Sequence, residues 1–249
     1  MTSFLASVAN IHETEIALAN NVDIIDLKNP RNGALGAVDL PVLKEAVVYI
    51  AGRSRISTTI GDLPVQPQVV HRAVSERFEA GTDYVKIGLF PGGDLTGTLV
   101  ALNREIRLGH ALVAVLFADL DPQLYLLPML ADSGFAGVML DTATKQSGGL
   151  SDHVSLVFLS EFVRRSRGLG LFCGLAGSLR QEDVPRLLPL NPDYLGFRGA
   201  LCREGRTSTI DKTLTREMSA LIKGARPDRR PTERPGQPSM PNSFLHDIG

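Results

Sequence analysis

Five charged residues of this chain stand at or just after the ends of short apolar segments: Asp26, Lys28, Lys86, Asp141 and Lys145. A free lysine is protonated at neutral pH, because its ordinary pKa is about 10.4, and is then a poor nucleophile. Burial and nearby positive charge lower the pKa of a lysine and favour the neutral amine. A neutral amine can form an imine with an aldehyde or ketone. The aspartates would move protons or orient the amines, although they also raise lysine pKa values.

The segment 22–27 predicts how the first two of these side chains are oriented. It reads as a short buried strand that breaks into a Pro/Gly loop. Residues i and i+2 of a strand share a face, about 6.6–6.8 Å apart, so Asp26 and Lys28 face one way. In DYVKIGLF, Tyr84 and Lys86 share a face by the same rule. The structural alternatives are an ion pair at a strand end for the first pair and, for Lys86, a lysine that extends from the rim to solvent.

Asp141 ends another apolar segment, and Lys145 lies in the loop that follows. If Asp141 points inward, Met139 lies beneath it, because the two residues share a strand face. A lysine on a loop is more often merely solvated. The residues alone therefore leave the role of Lys145 open.

A second group of residues is typical of an anion site: Gly177, Ser178, Arg198 and Gly199, which follow the last two apolar segments. Glycines let backbone amides approach an anion, and an arginine adds a forked set of donors. In α/β barrels the loops after strands 7 and 8 frequently bind phosphate. We predict a phosphate site here; the alternative is ordinary turn glycines beside a surface arginine.

These residues need a sheet that brings strand ends together. Strand-like segments occur at 4–9, 22–27, 55–60, 83–89, 111–117, 137–140, 171–175 and 194–197. Helical patterns lie between them, at 39–51, 68–79, 94–107, from 122, 152–167, from 181, and at 211–222, and Asn10 with Glu13 forms a predicted capping box for the first helix. Eight such units predict an α/β fold, a single-domain TIM (β/α)8 barrel over residues 1–223. An open doubly wound sheet is the alternative, but no G-x-G-x-x-G follows an early strand.

Composition excludes several other classes of function. The net charge of -1, with 43% hydrophobic and 21% charged residues, offers no electrostatic argument for binding nucleic acid or a membrane surface. The longest apolar run, 111–118, is too short to span a bilayer, and the first residues lack the basic region of a signal peptide. The two cysteines and the scattered histidines show no metal-ligand spacing, so no metal is expected. We expect a reduced, cytoplasmic protein.

Residues 224–249 differ from the rest of the chain. They are rich in Pro and Arg and show no periodic apolar face, which predicts a disordered or surface-draped tail. Helix faces such as 156–163 could pack on the barrel or on a second copy of the chain. The sequence therefore does not decide between a monomer and a homo-oligomer.

Six motifs occur in order over about residues 3–222: IIDLKNPRNGALGA, TTIGDLP, DYVKIGLF, MLDTATK, GLAGSL and FRGALC. Together they resemble the (5-formylfuran-3-yl)methyl phosphate synthase family of methanofuran biosynthesis. The resemblance implies a TIM barrel that condenses two molecules of glyceraldehyde 3-phosphate. It releases phosphate and water and forms a phosphorylated hydroxymethyl-furan aldehyde.

The resemblance also implies residue roles. Lys28, in DLKNP, is the implied Schiff-base residue and Lys86, in YVKIGL, the implied proton acceptor, while Asp26, Asp141 and Lys145 match further active-site positions. The implied class is a carbon-oxygen lyase acting on phosphates, in one-carbon metabolism. It needs no cofactor, because the amine itself serves as electron sink. The loop after Lys145 and the segment 203–209 look less typical of the family.

Two other functions fit the same residues. A Schiff-base aldolase could cleave or join other sugar phosphates without closing a ring. A non-catalytic barrel could bind phosphorylated metabolites and control a partner, which predicts binding without an adduct that borohydride traps.

Overall fold

Eight short parallel strands, each paired with its neighbours in sequence, close into a barrel. The computed structural model describes residues 1–144 and 147–224. The barrel closes where β8 pairs with β1, from Ser3 opposite Tyr194 to Ala6 opposite Phe197. The strands are β1 Ser3–Val8, β2 Ile24–Leu27, β3 Arg55–Thr59, β4 Tyr84–Gly88, β5 Ala111–Phe117, β6 Gly137–Asp141, β7 Phe172–Leu175 and β8 Tyr194–Phe197. The predicted TIM barrel is confirmed, and the open-sheet alternative is wrong.

Helices follow the strands and form the outer layer. They are α1 Ile11–Ala19, α2 Leu40–Ile50, α3 Pro67–Glu79, α4 Leu95–Arg107, α5 Leu126–Asp132, α6 Leu150–His153, α7 Leu156–Gly168, α8 Val184–Leu187 and α9 Lys212–Gly224. Short 3-10 turns are Gln181–Asp183, Leu188–Leu190 and Gly199–Leu201. No helix in the described parts of the chain is long and apolar enough to cross a bilayer. The predicted tail begins at the last residue of α9 and otherwise lies outside the described residues.

Two predicted helices differ from the observed ones. The helix predicted over 152–167 is interrupted: Val154 is extended, and the hydroxyl of Ser155 caps α7 by accepting a hydrogen bond from the backbone N–H of Phe158. A serine that caps a helix favours a break at this point. The helix expected from residue 122 begins only at Leu126. On α7, Leu159 is buried against the barrel whereas Val157 is exposed.

The barrel interior has an apolar floor below its carboxyl end. Inward-facing side chains from several strands pack there, among them Leu5, Ile24, Val113, Met139 and Tyr194. The rings of Tyr84, Phe172 and Tyr194 form a stack, with centroid distances of 5.8 Å and 4.9 Å. Alternate residues, such as Val85 and Ile87, pack outward against the helices. The alternation predicted for β2 and β4 is therefore confirmed, and it places charged side chains directly above the floor.

A substitution at Gly174 tests how tightly the apolar floor is packed. It lies opposite Tyr194 in the β7–β8 pair, and a Cβ at this position would lie 2.0 Å from Cζ of the tyrosine ring. We expect Gly174→Ala to lower the free energy of unfolding by about 1–3 kcal/mol, because the buried ring must move. Urea unfolding measures the change. Gly168→Ala, at the exposed end of α7 with open space around it, is the matched control and should leave stability unchanged or slightly raised. Equal effects of the two substitutions would contradict the packing.

Candidate active site

A cavity of about 260 Å³ opens at the carboxyl ends of the strands. Apolar side chains of the barrel interior form its base, and charged side chains and two glycine-containing loops form its walls. Its lining includes Leu5, Ser7, Lys28, Lys86, Met139, Asp141, Gly177, Ser178, Arg180, Gly196, Arg198, Gly199 and Arg206. The structure thus brings together both predicted lysines, Asp141 and the predicted phosphate loops.

Lys86 and Asp26 form a buried ion pair at the bottom of this cavity. The distance from Lys86 Nζ to Asp26 Oδ1 is 2.7 Å, and the two side chains are 2% and 0% exposed. Ser7 Oγ donates a hydrogen bond of 2.9 Å to Asp26 Oδ2, because Ser7 lies opposite Asp26 in the β1–β2 pair. Lys86 therefore does not extend from the rim to solvent.

Lys28 reaches the same cavity from the end of β2. Its Nζ lies 3.8 Å from Asp141 Oδ2, and the other carboxylate oxygen of Asp141 accepts a hydrogen bond of 2.8 Å from the backbone N–H of Thr142. Met139 lies in the barrel interior below Asp141, as the sequence predicts. The local ion pair between Asp26 and Lys28 is not formed. Each aspartate faces the lysine of another strand instead.

The pKa directions follow from burial and these pairings. Burial lowers the pKa of Lys86, and the positive charge of Lys28 adds to this, although Asp26 and Asp141 oppose it. Burial alone would raise the pKa of Asp26, but the charges of Lys86 and Lys28 and the hydroxyl of Ser7 outweigh it and hold that pKa below its usual value. The amine of Lys86 therefore loses its proton more readily than the amine of an exposed lysine does. The carboxylate of Asp26 stays ionised.

The loop after β7 lines the cavity with residues in uncommon backbone conformations. Gly177 and Ser178 both have left-handed backbone conformations, with φ values of 101° and 49°. A Cβ on Gly177 would lie 3.0 Å from Cγ2 of Thr142, so only glycine fits against the β6 loop without displacement. The carbonyl of Gly177 accepts a hydrogen bond of 2.8 Å from the backbone N–H of Leu150. Ser178 is an exposed non-glycine residue in a conformation that few side chains adopt.

Arg198 is oriented differently from the sequence-based expectation of free forked donors. Its guanidinium binds both carboxylate oxygens of Glu13 and donates to the backbone carbonyls of Ser7, Arg206 and Ser208. These contacts use all five of its N–H bonds, so the side chain has no free donor for a ligand. Arg198 lines the cavity, but its side chain ties β8 to α1 and to residues 206–208.

Two functional candidates were missed from the sequence, namely Arg206 and Glu13. Arg206 lies in the segment 203–209, which looked unlike the family. Glu13 was expected only as part of a capping box; the Asn10 side chain does accept from the Glu13 N–H at 3.0 Å, but the Glu13 carboxylate bonds to the N–H of Ala9 and to Arg198. Their roles depend on contacts between segments that are far apart in sequence, for which no local signal exists.

Carboxylates at two other strand ends support the loops beside the cavity. Asp62 accepts from the backbone N–H groups of Ala34 and Leu35 at 2.8 and 2.7 Å, which holds the loop after β2. Asp119 accepts from the N–H groups of Ala143 and Thr144 at 2.7 Å each, in the loop after β6. Lys145, the fifth predicted catalytic residue, follows this anchored turn but lies outside the described residues.

Asp26→Asn should show that the buried lysine depends on its counter-charge. Removing one partner of a buried ion pair lowers the free energy of unfolding by about 3–5 kcal/mol. We expect a loss of this size at about pH 6. The loss should shrink as the pH rises towards about 10, because Lys86, with a lowered pKa, releases its proton in the folded state before it does so in the unfolded state. Urea unfolding at both pH values measures the effect.

Ser7→Ala is the matched control for this substitution. It removes only the hydrogen bond to Asp26 Oδ2, worth about 1 kcal/mol, and should act equally at both pH values. A pH-independent effect of Asp26→Asn would show that Lys86 is not held as a charged partner of Asp26.

Known proteins match this chain over nearly its whole length. Residues 4–219 match the family profile described as 4-HFC-P synthase. The (5-formylfuran-3-yl)methyl phosphate synthase of Methanocaldococcus jannaschii is 34% identical over 235 residues, covering 88% of this chain and 99% of that protein. The protein of the same name from Methanococcus aeolicus is 36% identical over 233 residues, covering 87% and 98%.

The fold resembles that of other barrel enzymes. The crystal structure of 3-hexulose-6-phosphate synthase from Salmonella typhimurium aligns with a TM-score of 0.67 at 15% identity, over 90% of this chain and 100% of that chain. At such low identity the likeness shows the fold alone. The sequence matches show more than the fold, because they run along the barrel from β1 to α9, a range that contains Asp26, Lys28, Lys86 and Asp141. The chain belongs to the 4-HFC-P synthase family.

Proposed function

We propose that this chain is a (5-formylfuran-3-yl)methyl phosphate synthase that joins two molecules of glyceraldehyde 3-phosphate through an imine on Lys28. The observation that carries this proposal is the pair of lysines, each beside a carboxylate, in one cavity bordered by glycine-containing loops. The names of the similar proteins support the product, and the cavity supports the chemistry. In this proposal the enzyme is a carbon-oxygen lyase of methanofuran-type cofactor biosynthesis.

Lys28 suits the role of imine-forming residue. Its amine lines the cavity beside Asp141, which can take up and return the protons that imine formation requires. The phosphate of the first triose would lie at the loops of Gly177, Ser178 and Gly199, which line the other side of the same cavity. The iminium draws electrons from the adjacent C–H bond, so the α-proton becomes acidic enough for a protein base to remove.

Lys86 suits the role of that base. Burial lowers its pKa, and a neutral amine at its position can accept the α-proton. The enamine that results attacks the aldehyde carbon of the second triose phosphate and forms the new C–C bond. Asp26, which stays ionised beside Lys86, stabilises the ammonium produced by the proton transfer.

Elimination and ring closure complete the reaction. The atoms balance when two triose phosphates lose one inorganic phosphate and two molecules of water. Formation of the aromatic furan makes these last steps strongly downhill. We assign Asp141 and Lys145 to the second substrate or to the elimination. The imine serves as the electron sink, so the proposed route uses no further cofactor.

Reduction of the imine tests this proposal directly. Incubation with glyceraldehyde 3-phosphate and sodium borohydride should attach the triose to Lys28, which peptide mass spectrometry would locate. Lys28→Ala should abolish both the adduct and furan formation while the circular dichroism spectrum stays that of the folded barrel. Lys44→Ala, on the exposed face of α2, is the matched control and should retain both.

The products and adducts distinguish the rival functions. An adduct at Lys28 with aldol products but without furan would indicate a different Schiff-base aldolase. Triose phosphate binding without any trapped adduct would indicate a non-catalytic binder. An adduct at Lys44, or near-normal furan formation by Lys28→Ala, would refute the mechanism.

Lys86→Gln separates imine formation from proton transfer. A positioned general base contributes about 10²–10⁴-fold, so kcat for furan formation should fall by that factor while borohydride still labels Lys28. Thermal unfolding would verify that the variant is folded, since Asp26 loses its charged partner. Loss of the label at Lys28 in the folded variant would instead place the imine at Lys86.

A further inference from the structure

Arg206 is a half-buried cation that lines the cavity. Its guanidinium donates to the backbone carbonyl of Pro30 at 2.8 Å and to that of Gly33 at 3.3 Å, both in the loop after β2. No carboxylate lies within ion-pair distance of it among residues 1–144 and 147–224. Two of its five N–H bonds are thus used, and three are free of acceptors in this part of the chain. Burying such a charge is costly unless an anion accompanies it.

Arg206 also lies beside one of the glycine loops. Its Cβ is 3.8 Å from the position that a Cβ on Gly199 would occupy, so the arginine packs directly over this loop. Both residues line the cavity together with Gly177 and Ser178. A guanidinium beside glycine backbone is a combination that binds phosphate oxygens well, because the planar group donates two parallel hydrogen bonds.

The segment that carries Arg206 is held in place by a buried ion pair. We call residues 203–209 the strap; the bridge between Cys202 and Ile210 closes its base. Arg198 donates to two strap carbonyls, from Nε to Arg206 at 2.8 Å and from Nη2 to Ser208 at 2.7 Å. The carboxylate of Glu13, on α1, orients Arg198 and is itself buried. The ion pair therefore fixes the backbone of Arg206.

The other cations at the cavity are less suited to hold an anion. Lys28 and Lys86 face Asp141 and Asp26, and Arg198 has no free donor. Arg180 is the remaining guanidinium, but its side chain is 77% exposed and lies 3.8 Å from Glu182. An exposed arginine at a surface ion pair contributes little. Arg206 is therefore the best-placed cation of the described part of the chain.

We infer that Arg206 is the phosphate-binding arginine of the cavity, and that Glu13 and Arg198 are positioning residues that hold the strap on which it lies. The anion site would take a phosphate monoester, with Gly177, Ser178 and Gly199 supplying backbone donors. That this monoester is a triose phosphate rests on the proposed function; the anion site itself does not.

Binding of inorganic phosphate tests the site without turnover. Isothermal titration calorimetry on the full chain should show one phosphate site, and Arg206→Gln should weaken it by about 10- to 100-fold, as expected for loss of charge-assisted hydrogen bonds. The KM for glyceraldehyde 3-phosphate should rise by a similar factor. Arg186→Gln, an identical change at an exposed position of α8, is the control and should alter neither value.

Two results would overturn the assignment. One is unchanged phosphate affinity in Arg206→Gln, above all if Arg180→Gln loses binding instead. The other is a wild-type protein that does not bind phosphate. Absence of furan product or of a Lys28 adduct, with phosphate binding intact and dependent on Arg206, would refute the proposed function and leave the anion site standing.

The positioning role of Glu13 has its own measurement. Glu13→Gln should weaken phosphate binding in the wild-type background but cause no further loss in Arg206→Gln, because it acts only through the arginine. A purely structural role would lower the melting temperature in both backgrounds and leave phosphate affinity unchanged. Should Glu13→Gln not fold, Glu13→Asp, which keeps the charge but shortens the reach, serves the same comparison. Equal losses of affinity in both backgrounds would refute the positioning role.

Discussion

The buried pair of Lys86 and Asp26 is the constraint on which the mouth of the barrel depends. A lone charge in this position would be far too costly, so each member requires the other, and the hydroxyl of Ser7 satisfies the second carboxylate oxygen. The pairing across strands also places positive and negative charge alternately around the cavity, with Lys28 beside Asp141. An aromatic and aliphatic floor closes this layer from below. Burial thus lowers the pKa of Lys86, and the pairing keeps the pKa of Asp26 below its usual value.

Carboxylates hold the surrounding loops by a common arrangement. Asp62 and Asp119 each stand just beyond the end of a strand and accept two backbone N–H groups from the loop after a neighbouring strand. Glu13 acts over a longer distance, through Arg198, on the strap. Such anchors fix loops that would otherwise lose much conformational entropy on binding a ligand. The residues that pair with the lysines are therefore different from those that hold the surrounding loops.

Particular residues show how much of the candidate site could be predicted from the sequence. Asp26, Lys28 and Lys86 were predicted from alternation along short strands, and the structure places both lysines in the lining of one cavity, with Asp26 buried beside Lys86. Their partners were not predictable: the neighbours in sequence, Asp26 and Lys28, do not pair with each other. For Arg198 the position at the end of β8 was right, but its donors are taken by the carboxylate of Glu13 and by three backbone carbonyls. Arg206 could not be predicted, because the segment 203–209 in which it lies has no strand or helix periodicity.

The sequence by itself determined the parallel barrel, the order of its strands and the side chains that face its interior, because each rests on local periodicity and on residues that end a strand. Only the tertiary structure decided which charges pair and which arginine of the cavity keeps unused donors within the described part of the chain. Those choices depend on distances between segments far apart in the chain, such as Glu13 and Arg198, which are 185 residues apart. Strand alternation tells which way a side chain points, but a charge takes the partner that barrel closure brings nearest, and closure is a property of the whole chain.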